Sequence, residues 1–428
     1  MKLINRALIA GAVAATVFPL GAGMRASTAH GAGCLTVSTL QAAGWSGADQ
    51  EATLVRSGIK QFEAANPCIR VQYTPVPSTY QQKLQTEFAS KSEPDVMYIS
   101  PDMIAAEGRA GLLLKLDPYL AKDGVSLSQY IPSLLHTFQI NGATYGLPKD
   151  WGTLGVFYNK AVFDAKHVAY PSNNLTFAQF RALAMKVYTP NSNPSKVVYG
   201  TMTPEDNGRF MAFAYGYGTN EFDPATGKVL FNNSKMVQAL DYYTGLTLKD
   251  HSATIPSTVG DGWQGDSFGK GRAAMVIEGG WLTPYLVSTY PKTRFGVAEF
   301  PIGPAGRADP VFTNAWGVSA RTMRKGAAAK FVEFMTGTTY QRQQLHAGFA
   351  LPTVRTLQDD PYLKSHPEVA NLYAAYNVGK RGNFLQYDTV VNKALGDAIT
   401  AVILKKSSPA QAIANAATTI QGQTSSIP

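Results

Sequence analysis

CLTVSTLQAAGWSGADQEATLVRSGIKQFEAANPCIRVQY, residues 34–73, contains the pattern that decides the fold. A short run rich in β-branched residues follows Cys34, and a second follows Cys68. Between the two runs, Asp49 to Ala65 has the apolar spacing of an amphipathic helix that ends at Asn66-Pro67. A strand, a helix and a strand in this order form a βαβ unit, whose two strands lie parallel. The segment therefore predicts an α/β protein.

The two cysteines of the chain are Cys34 and Cys68, and each stands directly before one of these strands. Adjacent parallel strands bring their first residues side by side, so we expect a disulfide in an oxidising compartment. The alternative is a lipidated Cys34, a modification that excludes the disulfide. Lipoprotein signals have a large aliphatic residue three positions before the cysteine, whereas Gly31 stands there. The sequence therefore favours the disulfide.

The N-terminus predicts export. Lys2 and Arg6 precede an apolar run from Leu8 to about Leu20, and small and polar residues follow up to Gly33. This is the layout of a secretory signal peptide, and the apolar run is shorter than the roughly 20 residues of a transmembrane helix. We expect residues 1–33 to be the signal peptide. The expected location is the periplasm, or the outer face of the cytoplasmic membrane if Cys34 is lipidated.

Composition is that of a globular chain of 428 residues, which is too long for one compact core and favours two domains. The net charge of +9 comes from basic residues scattered along the sequence, without the clusters that a nucleic-acid groove needs. The six histidines are dispersed and show no metal-ligand spacing. We therefore expect no nucleic-acid partner, no metal and no cofactor.

Helices and strands are predicted to alternate to the end of the chain. Helices are predicted at Tyr80 to Lys91, Thr176 to Val187, Ser234 to Leu248, Met323 to Thr336, Thr338 to His346, Thr389 to Leu404 and Ala410 to Ile420. Strands are predicted at Pro94 to Ile99, Gly142 to Tyr145, Val156 to Tyr158, Ala273 to Ile277 and Phe295 to Val297, and a loop at Leu147 to Trp151. Ligands of parallel α/β sheets bind beyond the carboxyl ends of the strands, so the loops that follow the strands are the candidate site.

Aromatic and acidic residues concentrate in those loops, and the five tryptophans are all among them. The residues are Trp45, Tyr80, Asp102, Asp150-Trp151, Glu205-Asp206-Asn207, Trp263 with Asp266, Glu278-Gly279-Gly280-Trp281, and Trp316. Flat aromatic faces pack on the C–H faces of a sugar ring, and carboxylates and amides bind its hydroxyls. The pattern predicts a polyol site. For each tryptophan taken singly, a structural position in the core or on the surface is the alternative.

Several motifs in a fixed order carry a resemblance to a known family. They are YGLPKD at 145–150, FYNK at 157–160, FGKGRAAMVIEGGW at 268–281, WGVS at 316–319, the helix at 327–335 and GFALP at 348–352. Together they resemble the family-1 extracellular solute-binding proteins of ABC importers, the group of the maltose-binding protein. The resemblance covers nearly the whole chain after the signal peptide.

The resemblance implies two α/β lobes, each a mainly parallel sheet flanked by helices, with the ligand in the cleft between them. The N-terminal lobe would comprise residues 34–145 plus 306–350, and the C-terminal lobe residues 146–305 plus 351–428. The chain would cross a hinge near 145–148, 301–306 and 351–352. Such a protein closes its lobes on a carbohydrate and delivers it, as a monomer, to the transmembrane subunits of an ABC permease.

The resemblance also implies site residues. Trp281 corresponds to the aromatic residue that stacks on the sugar, and Asp150, Trp45, Asp102 and Tyr80 fall where members of the family contact the ligand. The further expected ligand-binding residues are Trp151, Trp263, Glu278, Gly280, Trp316 and Arg355. An arginine that points into the cleft would indicate a carboxylated or phosphorylated sugar.

Two alternative functions remain open. An exported hydrolase of polysaccharides also needs carboxylates near aromatic residues, and Asp150, Asp266 and Glu278 could supply a catalytic pair. The sequence contains no Gly-x-Ser-x-Gly or His-Glu-x-x-His motif, and we expect a binding protein that is not an enzyme. The other alternative is a receptor for a non-sugar solute such as a polyamine, or for a sugar phosphate.

Overall fold

The computed structural model of the protein describes residues 34, 36–45, 49–76, 79–222, 228–374, 379–380 and 388–424. The predicted signal peptide at 1–33 lies outside the described residues. The strands are β1 Ser38–Trp45, β2 Ile69–Val76, β3 Val96–Ile99, β4 Gln139–Ile140, β5 Ala143–Thr144, β6 Gly146–Gly152, β7 Leu154–Asn159, β8 Thr201–Met202, β9 Ala253–Thr254, β10 Met275–Gly279, β11 Phe295–Glu299, β12 Asp309–Pro310, β13 Phe312–Val318 and β14 Gly379–Lys380.

Helices make up much of the remaining chain. They are α1 Asp49–Ala65, α2 Tyr80–Ser90, α3 Pro101–Arg109, α4 Asp117–Lys122, α5 Pro132–His136, α6 Lys160–Lys166, α7 Phe177–Val187, α8 Asn207–Gly216, α9 Ser234–Leu248, α10 Gln264–Gly269, α11 Leu282–Thr289, α12 Lys325–Met335, α13 Thr338–His346, α14 Pro361–Ser365, α15 Pro367–Ala374, α16 Asp388–Ile403 and α17 Pro409–Thr424. Within the described part of the chain, no helix combines the length and apolarity that crossing a membrane requires.

The predicted βαβ unit is present, and it begins the sheet of the first lobe. Strands β1 and β2 are parallel, with Ser38 opposite Ile69, and the sheet order is β2-β1-β3-β13-β6. A disulfide joins Cys34 to Cys68, whose Cα atoms are 5.5 Å apart, just before the paired strands. The predicted disulfide is therefore confirmed. Strand β1 begins four residues after Cys34 and extends to Trp45, further along the chain than the sequence indicated.

Residues Leu147 to Trp151, predicted as a loop, form most of strand β6. A proline and two charged residues are typical of a loop. However, β6 is the edge strand of its sheet, where a proline is tolerated. Its pairing with β13 shifts by one residue, since Asn314 lies opposite Asp150 and Ala315 opposite Pro148. This bulge leaves Lys149 as the extra residue. Both of its charged residues are buried because they form an ion pair with each other.

The sheet of the second lobe has the order β10-β7-β11, and both of its ladders are antiparallel. Among the described residues, parallel pairing outside the first sheet is limited to β8 with β9, β12 with β14 and isolated bridges such as Tyr199 with Ala273. The expectation of mainly parallel sheets therefore fits the β2-β1-β3 part of the first lobe and not the second sheet. Helix α7 begins with a capping box in which the side chains of Thr176 and Gln179 each bond the other's backbone N–H.

Separate hydrophobic clusters form the core of each lobe. In the first, Trp316 and Phe62 each meet Phe331 edge-on, with ring centroids 5.4 and 5.2 Å apart. In the second, Phe213 packs against Phe300, with ring centroids 5.3 Å apart. A third cluster combines residues of α5, β6, β7 and α11 and lies where the lobes join.

The chain passes between the lobes at β6–β7 and at β12–β13, and it passes again between Leu357, which belongs to the first-lobe cluster, and α15, which contacts β11. Strand β6 pairs with β13 in the first sheet, although the expected lobe boundary at 145/146 assigned it to the second lobe. Trp151 joins β6 to the segment after α13, because its indole Nε1–H donates to the Pro352 carbonyl at 2.9 Å and its backbone pairs with Leu351. The expected hinge at 301–306 instead contains a tight turn, in which Gly303 and Gly306 exchange backbone hydrogen bonds. A Cβ added to Gly303 would lie 2.3 Å from the Gly216 carbonyl, so this turn is packed against the end of α8.

Candidate functional site

A cavity of about 310 Å³ lies between the two lobes. The end of β1 and the starts of α2 and α3 form one wall, α8 and α16 form the opposite wall, and the segment from β12 to β13 crosses between them. The lining residues are Trp45, Gln81, Ser100, Pro101, Asp102, Thr137, Asp206, Asn207, Gly208, Arg209, Met211, Tyr215, Pro310, Val311, Phe312, Thr313, Asn314 and Asn392. Polar groups with a few large rings are typical of small-molecule sites.

The wall from the first lobe, the first wall, presents an aromatic ring and a carboxylate. Trp45 ends β1 and is 55% exposed, an unusual exposure for the largest side chain. Asp102 lies in the first turn of α3, where the helix dipole favours its charge. Its oxygens accept hydrogen bonds from Gln81 Nε2, at 2.8 Å, and from the Ser100 hydroxyl. Burial nevertheless raises the pKa of Asp102 above its ordinary value.

The wall from the second lobe, the second wall, is a charge network. Asp206 caps α8 by accepting the backbone N–H of Arg209 at 2.9 Å, and it also lies 3.5 Å from the Arg209 guanidinium. Arg209 Nη2 donates to Glu278 at 2.6 Å. Glu278 is fully buried and also accepts Gln264 Nε2, at 2.9 Å, and the N–H of Gly279, at 3.0 Å. Burial alone would lower the pKa of Arg209, but the carboxylates of Asp206 and Glu278 raise it above its ordinary value.

Trp281 lies behind the cavity and contacts two residues that line it. Its ring lies 5.7 Å from the Arg209 guanidinium carbon and meets Phe312 edge-on, with ring centroids 5.6 Å apart. The ring also lies close to β6, since a Cβ built on Gly152 would be in ordinary van der Waals contact with it at 3.5 Å. In this structure Trp281 therefore supports Arg209 and Phe312 and does not itself line the cavity.

Asp150 is held in a buried ion-pair network in the first lobe. One of its oxygens contacts Lys149, and the other accepts the Asn314 N–H at 3.3 Å. Lys149 also lies 3.3 Å from Glu51 and 4.4 Å from the centre of the Tyr98 ring. Burial alone would lower the pKa of Lys149, but Asp150 and Glu51 raise it. Asp150 thus fixes β6 to β13 beneath the cavity wall.

Three of the expected ligand-binding side chains are buried in the protein. Trp316 has no exposed surface and packs on Tyr98, with ring centroids 4.4 Å apart, because it lies in the middle of a central strand. Trp151 is 2% exposed and belongs to the cluster that joins the lobes. Tyr80 is buried, and its hydroxyl donates to the Tyr98 carbonyl at 2.9 Å. None of these three side chains lines the cavity, and their contact with a ligand stays a prediction.

The remaining expected residues lie outside the cavity lining. Trp263 is partly buried and meets Tyr285 edge-on, with ring centroids 5.0 Å apart. Gly280 is half-buried, and a Cβ there would lie 3.4 Å from Leu372. Arg355 is exposed at the start of a short 3-10 helix, Arg355–Leu357. Of the residues named from the sequence as ligand contacts, Trp45 and Asp102 line the cavity.

The carboxylates that the hydrolase alternative requires have other partners. Asp150 pairs with Lys149, Glu278 pairs with Arg209, and Asp266 pairs with Lys270. Asp266 also accepts the hydroxyls of Tyr285 and Tyr290. Over the residues that the structure describes, no group of histidine, cysteine or acidic side chains could hold a metal ion.

The sequence did not identify several lining residues as ligand contacts, among them Arg209, Phe312, Asn314 and Asn392. Asp206-Asn207 was noted as an acidic loop, and an aspartate directly before a helix is an N-cap signal. That signal could have placed the first turn of α8, and with it Arg209, at the cleft. Phe312 and Asn314 carry no such signal, because they belong to a strand that crosses between lobes.

Comparison with known proteins decides the family. Residues 58–371 match the model for "Bacterial extracellular solute-binding protein". The chain belongs to this family. The family resemblance seen in the sequence is therefore confirmed, and proteins of this family are binding proteins that act outside the cytoplasm. The maltotriose-binding protein of Pyrococcus abyssi is 23% identical over 330 residues, which are 74% of this chain and 67% of that protein. Matches to further curated binding proteins cover 59% of their length.

Solved structures confirm the two-lobe fold of the solute-binding protein. An ABC substrate-binding protein of Listeria monocytogenes in complex with cycloalternan has a TM-score of 0.83 at 23% identity, over 91% of this chain and 99% of that one. A solute-binding protein of Thermotoga lettingae bound with α-D-tagatose has a TM-score of 0.80 at 22% identity, over 90% and 99%. At these identities the likeness concerns the fold.

Proposed function

We propose that this solute-binding protein captures a sugar or sugar-like polyol in the cavity between its lobes and delivers it to an ABC permease. The observation that carries the proposal is the first wall, where the exposed Trp45 and the Asp102 carboxylate line the same cavity as residues of α8. An open aromatic face packs on the C–H face of a sugar ring, and the neighbouring carboxylate accepts its hydroxyls.

Several named relatives and structural neighbours agree with this choice of solute. The named ligands are maltotriose for the Pyrococcus relative, cycloalternan for the Listeria protein and α-D-tagatose for the Thermotoga protein. All are polyhydroxylated and uncharged, although they differ in size. A cavity with aromatic, carboxylate and amide side chains suits this shared chemistry.

A binding role without catalysis fits the site better than hydrolysis. General acid–base catalysis needs one carboxyl group free to donate a proton and another free to accept one. Each candidate acid from the sequence instead belongs to an ion pair that supports the fold, as Glu278 does with Arg209. We propose that the protein is not an enzyme and needs no cofactor.

The proposed partner, an ABC permease, and the proposed location outside the cytoplasm are those expected of a solute-binding protein. A binding protein that serves an ABC importer acts on the outer side of the cytoplasmic membrane, as a monomer that docks on the transmembrane subunits. We propose export by the N-terminal segment. The disulfide between Cys34 and Cys68 agrees with an oxidising location, and it leaves no thiol at Cys34 for a lipid.

A thermal-shift screen against sugars, sugar alcohols, sugar phosphates, amino acids and polyamines tests this function. A solute that binds the folded state raises the melting temperature, so we expect a shift with at least one sugar or sugar alcohol. Trp45→Ala should strongly reduce that shift. Trp263→Ala is the matched control, because Trp263 does not line the cavity and should leave the shift in place. A shift with amines or amino acids alone, or consumption of the sugar, contradicts the proposal.

A further inference from the structure

The cavity contains an arginine, and an arginine in a solute cleft usually suggests an anionic solute. Arg209 lines the wall formed by α8. Its planar guanidinium could bind a phosphate or a carboxylate in bidentate fashion. Whether the cleft binds an anionic or an uncharged solute therefore depends on the hydrogen bonds that this guanidinium already makes within the protein.

Protein carboxylates already engage the guanidinium of Arg209. Nη2 donates to Glu278 at 2.6 Å, and Nη1 lies 3.5 Å from Asp206. The Nε–H is buried and has no hydrogen-bond partner among the residues that the structure describes. The guanidinium also lies 5.7 Å from the Trp281 ring. An anionic solute would share the guanidinium with Glu278 and Asp206.

Acidic groups on both sides of the cavity oppose a second negative charge there. Asp102 lies on the first wall, and Asp206 lies opposite it on the second wall, with its side chain one-third exposed. Fixed carboxylates repel an anion across a partly desolvated space, where Coulomb interactions are stronger than in water. Hydroxyl groups, in contrast, are donors that these carboxylates accept.

We propose that the cleft selects uncharged sugars or sugar alcohols over their phosphorylated or carboxylated forms, with Asp102 and Asp206 as hydroxyl acceptors on opposite walls and Arg209 as a positioning residue. This inference rests on the proposed function, because it concerns the class of sugar that the same cavity takes. An arginine in a cleft usually indicates an anionic solute, whereas this cleft is proposed to prefer uncharged ones. The carboxylates of Asp102 and Asp206 are proposed to cause that preference.

Calorimetric titration with matched pairs of solutes tests the inference. The probes are glucose against glucose 6-phosphate and glucuronate, mannitol against mannitol 1-phosphate, and maltose and tagatose as further uncharged sugars. We expect at least one uncharged probe to bind, and to bind at least tenfold more tightly than its charged counterpart. A phosphate or carboxylate that binds as tightly as the parent sugar overturns the inference and leaves sugar binding intact. If no probe of either kind binds, the inference and the proposed function both fail.

Asp206→Asn is the decisive variant. Asparagine caps helices as well as aspartate does, so α8 keeps its N-cap while the cavity loses a negative charge. We expect the preference for the uncharged member of each pair to fall about fivefold or more, and Glu278→Gln should shift it in the same direction. Asp241→Asn is the control, since Asp241 is a half-exposed acid paired with Lys249 on α9, outside the cavity lining. An unchanged preference in Asp206→Asn, or an equal fall in Asp241→Asn, contradicts the inference.

Discussion

The two walls of the cavity are built in different ways. On the first wall, Trp45 is 55% exposed, and Asp102 is held by the two polar side chains of Gln81 and Ser100. On the second wall, Arg209 is linked to Asp206 and to the fully buried Glu278, and its guanidinium lies close to the Trp281 ring. Both walls carry one carboxylate that faces the cavity, yet only the first presents an open aromatic face.

Because of this difference, we expect the first wall to determine mainly the affinity for the solute and the second wall mainly the stability of the fold. Side chains of the first wall have exposed surface that a solute can cover, so replacing them should change affinity. Charged side chains of the second wall are paired with one another, so replacing them should first change the free energy of unfolding. The same residue types therefore have different roles on the two walls, according to which of their groups are already paired.

The largest expected effect is on the second wall. Glu278→Ala leaves the guanidinium of Arg209 without its buried partner, and removing one member of a buried ion pair typically costs about 3–5 kcal/mol. Urea unfolding should show a loss of that size. Asp241→Ala, which breaks the exposed pair with Lys249, should cost no more than about 1 kcal/mol. Equal losses in the two variants would mean that the second wall is not a stabilising network.

On the first wall, Trp45→Ala should lower the affinity for the sugar by about ten- to a hundredfold, equivalent to about 1.4–2.8 kcal/mol. Its free energy of unfolding should change by less than about 0.5 kcal/mol, because the ring is largely exposed. Trp316→Ala, in the same sheet, is the matched control, and it should cost about 3–5 kcal/mol of stability, since its ring is fully buried. If Trp45→Ala is as destabilising as Trp316→Ala, the first wall is structural.

A smaller, pH-dependent effect is expected behind the first wall. Glu107 lies on α3 with Asp102, and burial raises its pKa from 4.5 to about 7. Between these values the unfolded chain has lost the proton that the folded chain retains, so the stability of the wild type should fall as the pH rises from about 4.5 to about 7. Glu107→Gln should lack this part of the fall. Unfolding at pH 5, 6, 7 and 8 checks it, with the exposed Asp359→Asn as the control. Parallel pH profiles in the wild type and Glu107→Gln would contradict the prediction.

Much of the fold could be predicted from the sequence because the spacing of apolar residues and the residues that begin and end helices indicate the same elements. The helix predicted at Asp49 to Ala65 has those bounds in the structure, and both predicted C-terminal helices are present. Strand β6 was missed, because its charged residues are buried by pairing with each other at a bulge. The pairing depends on a neighbouring strand, β13, that lies more than 150 residues along the chain.

The site could be predicted less completely. Position directly after a predicted strand identified both Trp45 and Asp102. The same rule placed Trp316 at the cleft, but this residue lies within β13 and faces the core. Arg209 was missed because its role follows from contacts with Glu278, 69 residues away in sequence. Residue type does not reveal how deeply a side chain is buried or which partner it pairs with. These two properties distinguish the residues that line the cavity from residues of the same type in the core.

A crystal structure of the protein with its best-binding sugar tests the central claim most directly. We expect the sugar ring to stack on Trp45 between the lobes, Asp102 and Asp206 to accept its hydroxyls, and Arg209 to remain bonded to Glu278. A sugar bound elsewhere, or one that leaves Trp45 uncovered, would show that this cavity is not the sugar site.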